Sequence, residues 1–152
     1  KRMNRLTALL TGVWLGMQIM AGYVVGPILF EQIGRQAAGN IAGTLFAVNN
    51  WFGIAAWLLA WFAVGTRRER GFGHGGRSIA PKFIILLLAL LAANQFLFAP
   101  VIAAHKTGAS HWLLSLAGGS FGMWHGVSSV IYLVCTLIGA GLLLRYLSFD
   151  KK

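Results

Sequence analysis

The stretch AGYVVGPILFEQIGRQAAGNIAGTLF, residues 21–46, decides the fold of this chain. An apolar run reaches Pro27, passes a short polar turn around Glu31, and returns to apolar sequence through Gly43. This pattern is typical of two membrane helices that are joined just outside the bilayer. The stretch therefore predicts the outer half of a helical hairpin in a membrane.

The composition of the whole chain extends this prediction. Of its 152 residues, 57% are hydrophobic and 11% are charged, whereas about a quarter of the residues in soluble domains are charged. Apolar runs of about 20 residues, the length that spans a bilayer core, recur along the sequence. We therefore predict a single all-α domain over residues 1–152, a polytopic bundle of four transmembrane helices. The predicted spans are residues 6–30, 41–64, 83–104 and 116–147.

The basic residues predict the orientation in the membrane. All thirteen lysines and arginines except Arg35 and Lys106 lie in the two terminal segments or in the loop 65–82. The positive-inside rule then places both termini and this loop in the cytoplasm. We expect a bacterial inner membrane. The net charge of +10 needs no nucleic-acid partner on this interpretation.

The basic loop also carries a candidate lipid contact. Its arginines could bind anionic lipid headgroups, although the topology alone accounts for their charge. They are Arg67, Arg68, Arg70 and Arg77.

The two hairpins show a weak internal similarity. One alignment of the first hairpin with the second places Pro27 on Pro100, and a slightly different alignment places Phe46 on Phe121 and Asn50 on His125. Such a parallel repeat would relate the hairpins by an axis along the membrane normal, with Asn50 and His125 near the bundle axis. Chance agreement in apolar sequence is the alternative.

The last span carries a polar stripe at steps of three and four residues, the spacing of one helix face. Polar side chains in a membrane helix face the bundle interior or a water-filled cavity. One hypothesis is a ligand-binding path centred on His125, with Ser129 and Tyr132. The alternative is a packing seam that hydrogen-bonds to neighbouring helices. The stripe consists of Gly122, His125, Ser129, Tyr132, Thr136 and Gly139.

Other spans carry carboxamides, which need partners inside a membrane. We expect them to form hydrogen bonds between helices, and Asn50 is also a candidate for ligand binding. Pro27 should kink or end the first helix, because proline cannot donate a backbone hydrogen bond. The carboxamide residues are Gln18, Asn49, Asn50, Asn94 and Gln95.

Three histidines form a candidate metal site. His125 could coordinate haem or copper, with His105 or His111 as a second ligand, because imidazole suits these metals. The sequence contains no P-loop, no G-x-S-x-G, no H-E-x-x-H and no C-x-x-C motif. These absences disfavour hydrolysis, phosphoryl transfer and conventional metalloprotease chemistry.

Three segments resemble a known family. They are GPILF at residues 26–30, AGNIAGTLF at residues 38–46 and FGMWHGVSS at residues 121–129. Together they are similar to the A-P-x-L-F, A-G-x-x-A-G-x-L-F and F-x-x-x-H-G-x-S motifs of the four-span family of domain of unknown function 4149, the transmembrane protein 205-like proteins. The resemblance implies a four-helix membrane bundle and emphasises Pro27 and His125. It implies no particular reaction.

Three functional hypotheses follow. The first is a non-enzymatic protein that binds a hydrophobic or lipid-like ligand, or an accessory subunit of a larger membrane complex. The second is a haem- or copper-dependent redox or metal-transfer protein that uses His125. The third is a small transporter or channel built as a homo-oligomer. Membrane lipids, and other subunits or further copies of the chain, are the expected partners.

Overall fold

A computed structural model describes residues 2–70 and 80–149, with side chains for residues 5–63 and 81–145. Over these residues it contains helices and short connections, and no strand. In chain order the elements are α1 (Arg2–Ile19), a first π-helix (Met20–Val25), α2 (Gly26–Gln32), α3 (Arg35–Arg70), α4 (Ala80–Ala93), a second π-helix (Asn94–Phe98), α5 (Ala99–Thr107), α6 (Trp112–Ala117) and α7 (Phe121–Phe149).

The predicted all-α, four-span architecture is confirmed. Four helical stretches are long and apolar enough to cross a membrane. We call them the first to fourth spans: Arg5–Gln32, Arg35–Ala63, Pro81–Thr107 and Phe121–Arg145.

The four spans pack in a ring that follows the order of the chain. In this ring α1 packs against α3 and α7, and α4 also packs against α3 and α7. The first two spans therefore form one antiparallel hairpin, and the last two form another beside it. We call the end of the ring that holds the start of α1 and the end of α7 the inner end, and the opposite end the outer end.

The core of the inner half is built around the Trp14 side chain. Its indole meets that of Trp57 edge to face, with the ring centroids 5.7 Å apart and the planes at 87°. Gly53 and Gly139 make room for the Trp14 ring, because a Cβ atom at either position would overlap it. In lipid, where the hydrophobic effect does not drive helices together, such close packing supplies much of the cohesion. The other buried members of this cluster are Ala60, Ile84, Leu87, Leu91, Cys135 and Leu142.

The first span does not end at Pro27, so the expectation of a helix end there is wrong, whereas the alternative of a kink stays a prediction. It continues through the first π-helix into α2, where Pro27 is the second residue. Proline lacks an N–H group, and its ring collides with the carbonyl four residues earlier in an α-helix. The Gly26 N–H instead bonds to the Ala21 carbonyl, five residues back. This wider turn accommodates the proline inside a continuous helix.

The third span repeats this arrangement around Pro100. The second π-helix precedes α5, in which Pro100 is again the second residue. The Ala99 N–H bonds to the Asn94 carbonyl, also five residues back. The donor and the acceptor of this bond stand in the same places relative to Pro100 as those of the first span do relative to Pro27. The alignment that matches the two prolines therefore also matches the two π-helices.

Some buried positions of the two hairpins correspond under the same alignments. Where Pro27 is placed on Pro100, buried Thr11, Trp14 and Gln18 fall on buried Ile84, Leu87 and Leu91. Where Phe46 is placed on Phe121, buried Asn49, Trp57 and Ala60 fall on buried Trp124, Tyr132 and Cys135. The agreement is partial, because buried Val101 falls on exposed Ile28 and buried Asn50 falls on exposed His125, so the two-hairpin parallel repeat stays a prediction.

The outer connections differ from the predicted ones. We expected a loop until about residue 41, but α3 begins at Arg35 after a break in which Ile33 is extended (φ −133°, ψ 160°). The polar residues that follow Arg35 are compatible with a helix, so the helix extends beyond its apolar part. Polarity here marks the membrane boundary, and the helix end lies several residues away.

The fourth span also begins later than residue 116. Residues 112–117 form the separate short helix α6, and α7 begins only at Phe121. Gly118 and Gly119 between them have positive φ angles of 61° and 97°. Two successive residues in this conformation end a right-handed helix, and glycine adopts it without a steric penalty. The glycine pair therefore separates α6 from the span.

Candidate functional site: a mid-span polar layer and the outer faces above it

Polar side chains gather halfway along the spans. Gln18 lies near the centre of the first span, Asn49 near that of the second and Asn94 near that of the third. All three are buried. Carboxamides at this depth are costly unless they are hydrogen-bonded. We call these three residues together with Asn50, Gln95, Ser128 and Tyr132 the polar layer.

One part of the polar layer joins α1, α3 and α7. The Asn49 Nδ2 group donates to Gln18 Oε1, and Gln18 Nε2 donates to the Tyr132 backbone carbonyl at 3.3 Å. The Tyr132 hydroxyl in turn donates to the Gln18 backbone carbonyl at 2.6 Å. Gly22 allows this approach, because a Cβ atom there would meet the Tyr132 ring. These contacts hold the Tyr132 side chain against the start of the first π-helix.

The other part of the polar layer uses the first two residues of the second π-helix. Asn50 Nδ2 donates to Gln95 Oε1 at 3.3 Å, and Ser128 Oγ donates to Asn94 Oδ1 at 2.6 Å. These bonds link the third span to both of its neighbours. The expected hydrogen bonding between helices by these carboxamides is confirmed.

Two acceptors in the polar layer have no partner among the residues that the structure describes. They are the side-chain oxygens of Asn49 and Asn50. A buried acceptor without a hydrogen bond costs about 1–3 kcal/mol. The indole N–H groups of Trp14 and Trp57, on the inner side of the layer, are likewise buried without a partner. The centre of the bundle thus contains buried donors and acceptors that have no partner among the described residues.

Outward from the polar layer, the first and fourth spans separate. Over the described residues, α2, the outer part of the first span, packs closely against α3 and against no other span. The outer part of the third span, α5, packs closely against α7. Between Phe121 and Ile131, Trp124 is the only buried residue. On the opposite side of the ring, Lys106 Nζ donates to the Gly39 carbonyl at 2.9 Å and joins the two hairpins. The opening therefore lies between α2 and α7, and we call it the outer cleft.

The predicted polar stripe divides at Tyr132. Tyr132 and Thr136 are buried, but His125 and Ser129 are exposed. The expectation that a repeat would bring His125 near the bundle axis beside Asn50 is therefore wrong. His125 lies seven residues and Ser129 three residues before Tyr132, so all three share one helix face. That face meets α1 at Tyr132, and farther out α2 does not pack closely against it over the described residues.

Aromatic rings surround Tyr132 at the floor of the outer cleft. Its ring centroid lies 5.2 Å from that of Phe46 and 6.1 Å from that of Tyr23. Tyr23 itself is exposed. The floor therefore combines apolar ring surfaces with the hydrogen-bonded Tyr132 hydroxyl beneath them. Pro27 lies on the exposed surface of α2, beyond this floor.

The three candidate metal-binding histidines do not form one cluster. His105 meets the Phe121 ring edge to face at 6.5 Å, and His125 stacks on the same ring at 5.8 Å. His111 precedes α6, where its Nδ1 atom accepts the Leu113 N–H at 3.2 Å. Over the described residues, no three His, Cys, Asp or Glu side chains are grouped so that they could hold a metal ion. The His105 Nε2 atom is buried without a partner among those residues.

The predicted lipid-contact arginines lie outside the described side chains. The backbone of Arg67, Arg68 and Arg70 belongs to the end of α3, and Arg77 lies outside the described residues. A different basic side chain adjoins an apolar surface groove between α4 and α7. This cavity of about 350 Å³ is lined by Phe83, Leu137, Ile138, Gly141, Leu142 and Arg145.

Comparison with known families fits this architecture. A family model matches residues 9–111, which is more than half of the chain. The chain belongs to the DUF4149 family, a domain of unknown function. The predicted family is therefore confirmed.

The match includes all five carboxamides of the polar layer and both π-helices, but it ends before α7. The similarity of residues 121–129 to the family therefore stays a prediction. No curated protein and no solved structure matches the chain significantly.

Sequence reasoning missed two parts of this site. Ser128 stands beside the predicted stripe, one position from Ser129, and its hydroxyl makes the bond to Asn94. Helical spacing is the signal that could have found it, since Ser128 is four residues before Tyr132 and four after Trp124. The indole N–H of Trp14 had no signal in the sequence, because its missing partner becomes visible only when the helices are packed.

Proposed function

We propose that this DUF4149 protein is a non-enzymatic integral membrane protein that binds a lipid-like ligand in the outer cleft, between α2 and α7. The observation that supports the proposal is the separation of the first and fourth spans beyond Tyr132. This separation leaves His125 and Ser129 exposed within a span. Polar groups at membrane depth that do not pack against protein are expected to face a cavity or a ligand.

The side chains of the cleft favour an amphiphilic ligand. The His125 imidazole can hydrogen-bond to a polar group of the ligand, and the Ser129 hydroxyl, which donates to the His125 backbone carbonyl at 2.9 Å, can still accept a hydrogen bond from it. The exposed apolar side chains of α2, including Ile28, can contact its hydrocarbon part. The aromatic floor around Tyr132 would limit how deeply the ligand enters. Because the cleft opens sideways, such a ligand could enter from the bilayer without crossing water.

The chemistry of the polar layer favours binding over catalysis. Its members are carboxamides and hydroxyls, which donate and accept hydrogen bonds but are weak acids and bases. Most of them are already engaged with one another across the bundle. Groups that are locked in this way hold the helices in register. On this proposal the layer is a rigid floor beneath the ligand.

The membrane setting belongs to the same proposal. The distribution of lysines and arginines supports cytoplasmic termini, and we propose a bacterial inner membrane as the location. The outer cleft then faces the opposite side of that membrane. A subunit of a larger complex, or a second copy of the chain, could cover the exposed face of α7 in place of a lipid. Tryptophan substitutions in and beside the outer cleft distinguish a bound lipid from a bound protein.

Three tryptophan variants test the site. Ser129→Trp should fill the outer cleft and reduce the lipid that co-purifies in mild detergent, measured by native mass spectrometry. Val130→Trp is the matched control, because Val130 is the next residue of the same helix, is 61% exposed and points about 100° away. Gly141→Trp fills the groove between α4 and α7 instead.

The pattern across these variants decides the proposal. We expect loss of bound lipid in Ser129→Trp alone. Loss in Gly141→Trp alone would assign the lipid to the groove and contradict the outer cleft. Equal lipid in all variants would contradict a lipid in the outer cleft, and a protein subunit whose release follows Ser129→Trp would assign the cleft to that subunit.

A metal-dependent function is the second candidate, and one observation favours it. The buried His105 Nε2 atom has no partner among the described residues, and the Phe121 ring contacts both His105 and His125. An absorption spectrum with elemental analysis of the purified protein tests this candidate. Near-stoichiometric haem or copper that is lost in His105→Ala and His125→Ala would support it. Metal retained in both variants would exclude these two histidines as essential ligands.

A further inference from the structure

The indole of Trp14 places an unused donor against the second span. Its Nε1 and Cδ1 atoms are the nearest side-chain atoms to the position of a Cβ atom on Gly53. The side chain is fully buried, and the Nε1 group has no partner among the described residues. This edge of the ring therefore lies directly against the face of α3 that carries Gly53.

Two unused acceptors lie one helical turn farther out on that face. Asn49 and Asn50 precede Gly53 by four and three residues, so both neighbour it on the helix surface. Asn49 is 1% exposed and Asn50 is 3% exposed. Their side-chain oxygens have no partner among the described residues.

Existing hydrogen bonds determine which atoms of Asn49 and Gln18 remain available. The Gln18 side chain must donate through Nε2, because its partner is the Tyr132 carbonyl. Its Oε1 atom is then the acceptor for the Asn49 Nδ2 group. The oxygen of Asn49 is consequently left without a partner whichever way the network is assembled.

One helical turn separates Gly53, which the Trp14 indole adjoins, from Asn49 and Asn50, and one bridging oxygen can span that length. One turn of helix rises about 5.4 Å, and two successive hydrogen bonds with heavy-atom distances of about 2.8 Å span nearly the same length. An O–H group between them could accept from the indole N–H and donate to a carboxamide oxygen. A water molecule could donate to both oxygens and would then make three hydrogen bonds, a usual number for buried water.

We propose that the structure contains a binding site for one O–H group, either a water molecule or a ligand hydroxyl, between Trp14 Nε1 and the side-chain oxygens of Asn49 and Asn50. One N–H donor and two oxygen acceptors favour a group that can both accept and donate a hydrogen bond. A cation would be repelled by the N–H dipole, and an anion would be repelled by the two oxygens. The site lies on the inner side of the polar layer and does not depend on a ligand in the outer cleft.

Magnetic resonance of the indole groups tests the proposal on the intact protein. With 15N-labelled tryptophan, the Trp14 indole proton should resonate in the hydrogen-bonded range. The internal reference is Trp124, whose Nε1 group donates to the Gly118 carbonyl at 2.9 Å. Transfer of magnetisation from water to the Trp14 indole proton would identify the bridging group as water. Transfer from aliphatic resonances of a co-purified molecule would identify it as a ligand hydroxyl.

The variant Asn50→Leu removes one acceptor and keeps a similar side-chain volume. We expect the Trp14 indole proton to shift upfield in this variant and its transfer signal to weaken. Asn40→Leu, an exposed position on the same helix, should leave both unchanged. A wild-type Trp14 proton outside the hydrogen-bonded range, with no transfer signal, would overturn the proposal even if Asn50→Leu does not fold. So would a Trp14 resonance that Asn50→Leu leaves unaltered.

Discussion

The packing of Trp14 predicts that Gly53→Ala destabilises the protein. The added methyl group would overlap the indole, which is fully buried and is also held by Gly139 and Trp57. A rigid ring confined on several sides cannot move aside as a flexible side chain could. Overpacking of this kind typically costs about 1–3 kcal/mol. Gly43→Ala on the same helix is the control, because nothing lies within 4 Å of its Cβ position.

The single cysteine provides the assay. Cys135 is free and fully buried, so a fluorogenic maleimide should react with it only as the bundle opens on heating. For a chain of about 150 residues, 1 kcal/mol shifts Tm by roughly 2–4 °C. We therefore expect Gly53→Ala to melt about 2–12 °C below the wild type. Gly43→Ala should melt at or slightly above the wild-type temperature, because alanine restricts the unfolded chain. Equal Tm values for the two variants would refute the packing described for Trp14.

Three further predictions concern other contacts. Tyr132→Phe removes the hydroxyl that donates to the Gln18 carbonyl and should cost about 1 kcal/mol, seen as a lower Tm in the same thiol assay; an unchanged Tm would contradict this contact. Lys106→Met removes an exposed hydrogen bond between the hairpins. The free energy of unfolding should therefore fall by less than about 1 kcal/mol. A larger loss, seen as a lower Tm, would mean that this bond holds the outer end together. With cytoplasmic termini, Ser110→Cys on an outer connection should react in intact cells with a maleimide that does not cross membranes, while buried Cys135 stays unlabelled; labelling only after lysis would reverse the topology.

The sequence was sufficient for features that depend on composition and spacing. Each apolar run is long enough to cross a bilayer core as a helix, so the sequence predicts four spans regardless of how the helices pack against one another. Carboxamides within those runs predict hydrogen bonds, because lipid offers no other partner. For this reason Gln18, Asn49 and Asn94 could be assigned to the bundle interior from their positions in the sequence alone.

Features that depend on two spans at once could not be predicted in this way. His125 and Tyr132 share one helix face, so periodicity treats them alike, yet Tyr132 is buried and His125 is exposed. The difference arises because α1 packs closely against α7, whereas α2 does not over the described residues. The π-helix itself could not be recognised in the hydrophobic pattern, because residues 20–25, MAGYVV, are apolar or small on every side of the helix. Pro27 indicated the place of the irregularity but not its form.

Photo-crosslinking in native membranes tests the outer cleft most directly. A benzophenone amino acid at position 129 would face the cleft, and the same group at position 130 would face the bulk bilayer. We expect a defined lipid-like adduct at position 129 and, at position 130, a mixture with the composition of the surrounding membrane. The same bulk mixture at both positions would contradict a ligand site between α2 and α7.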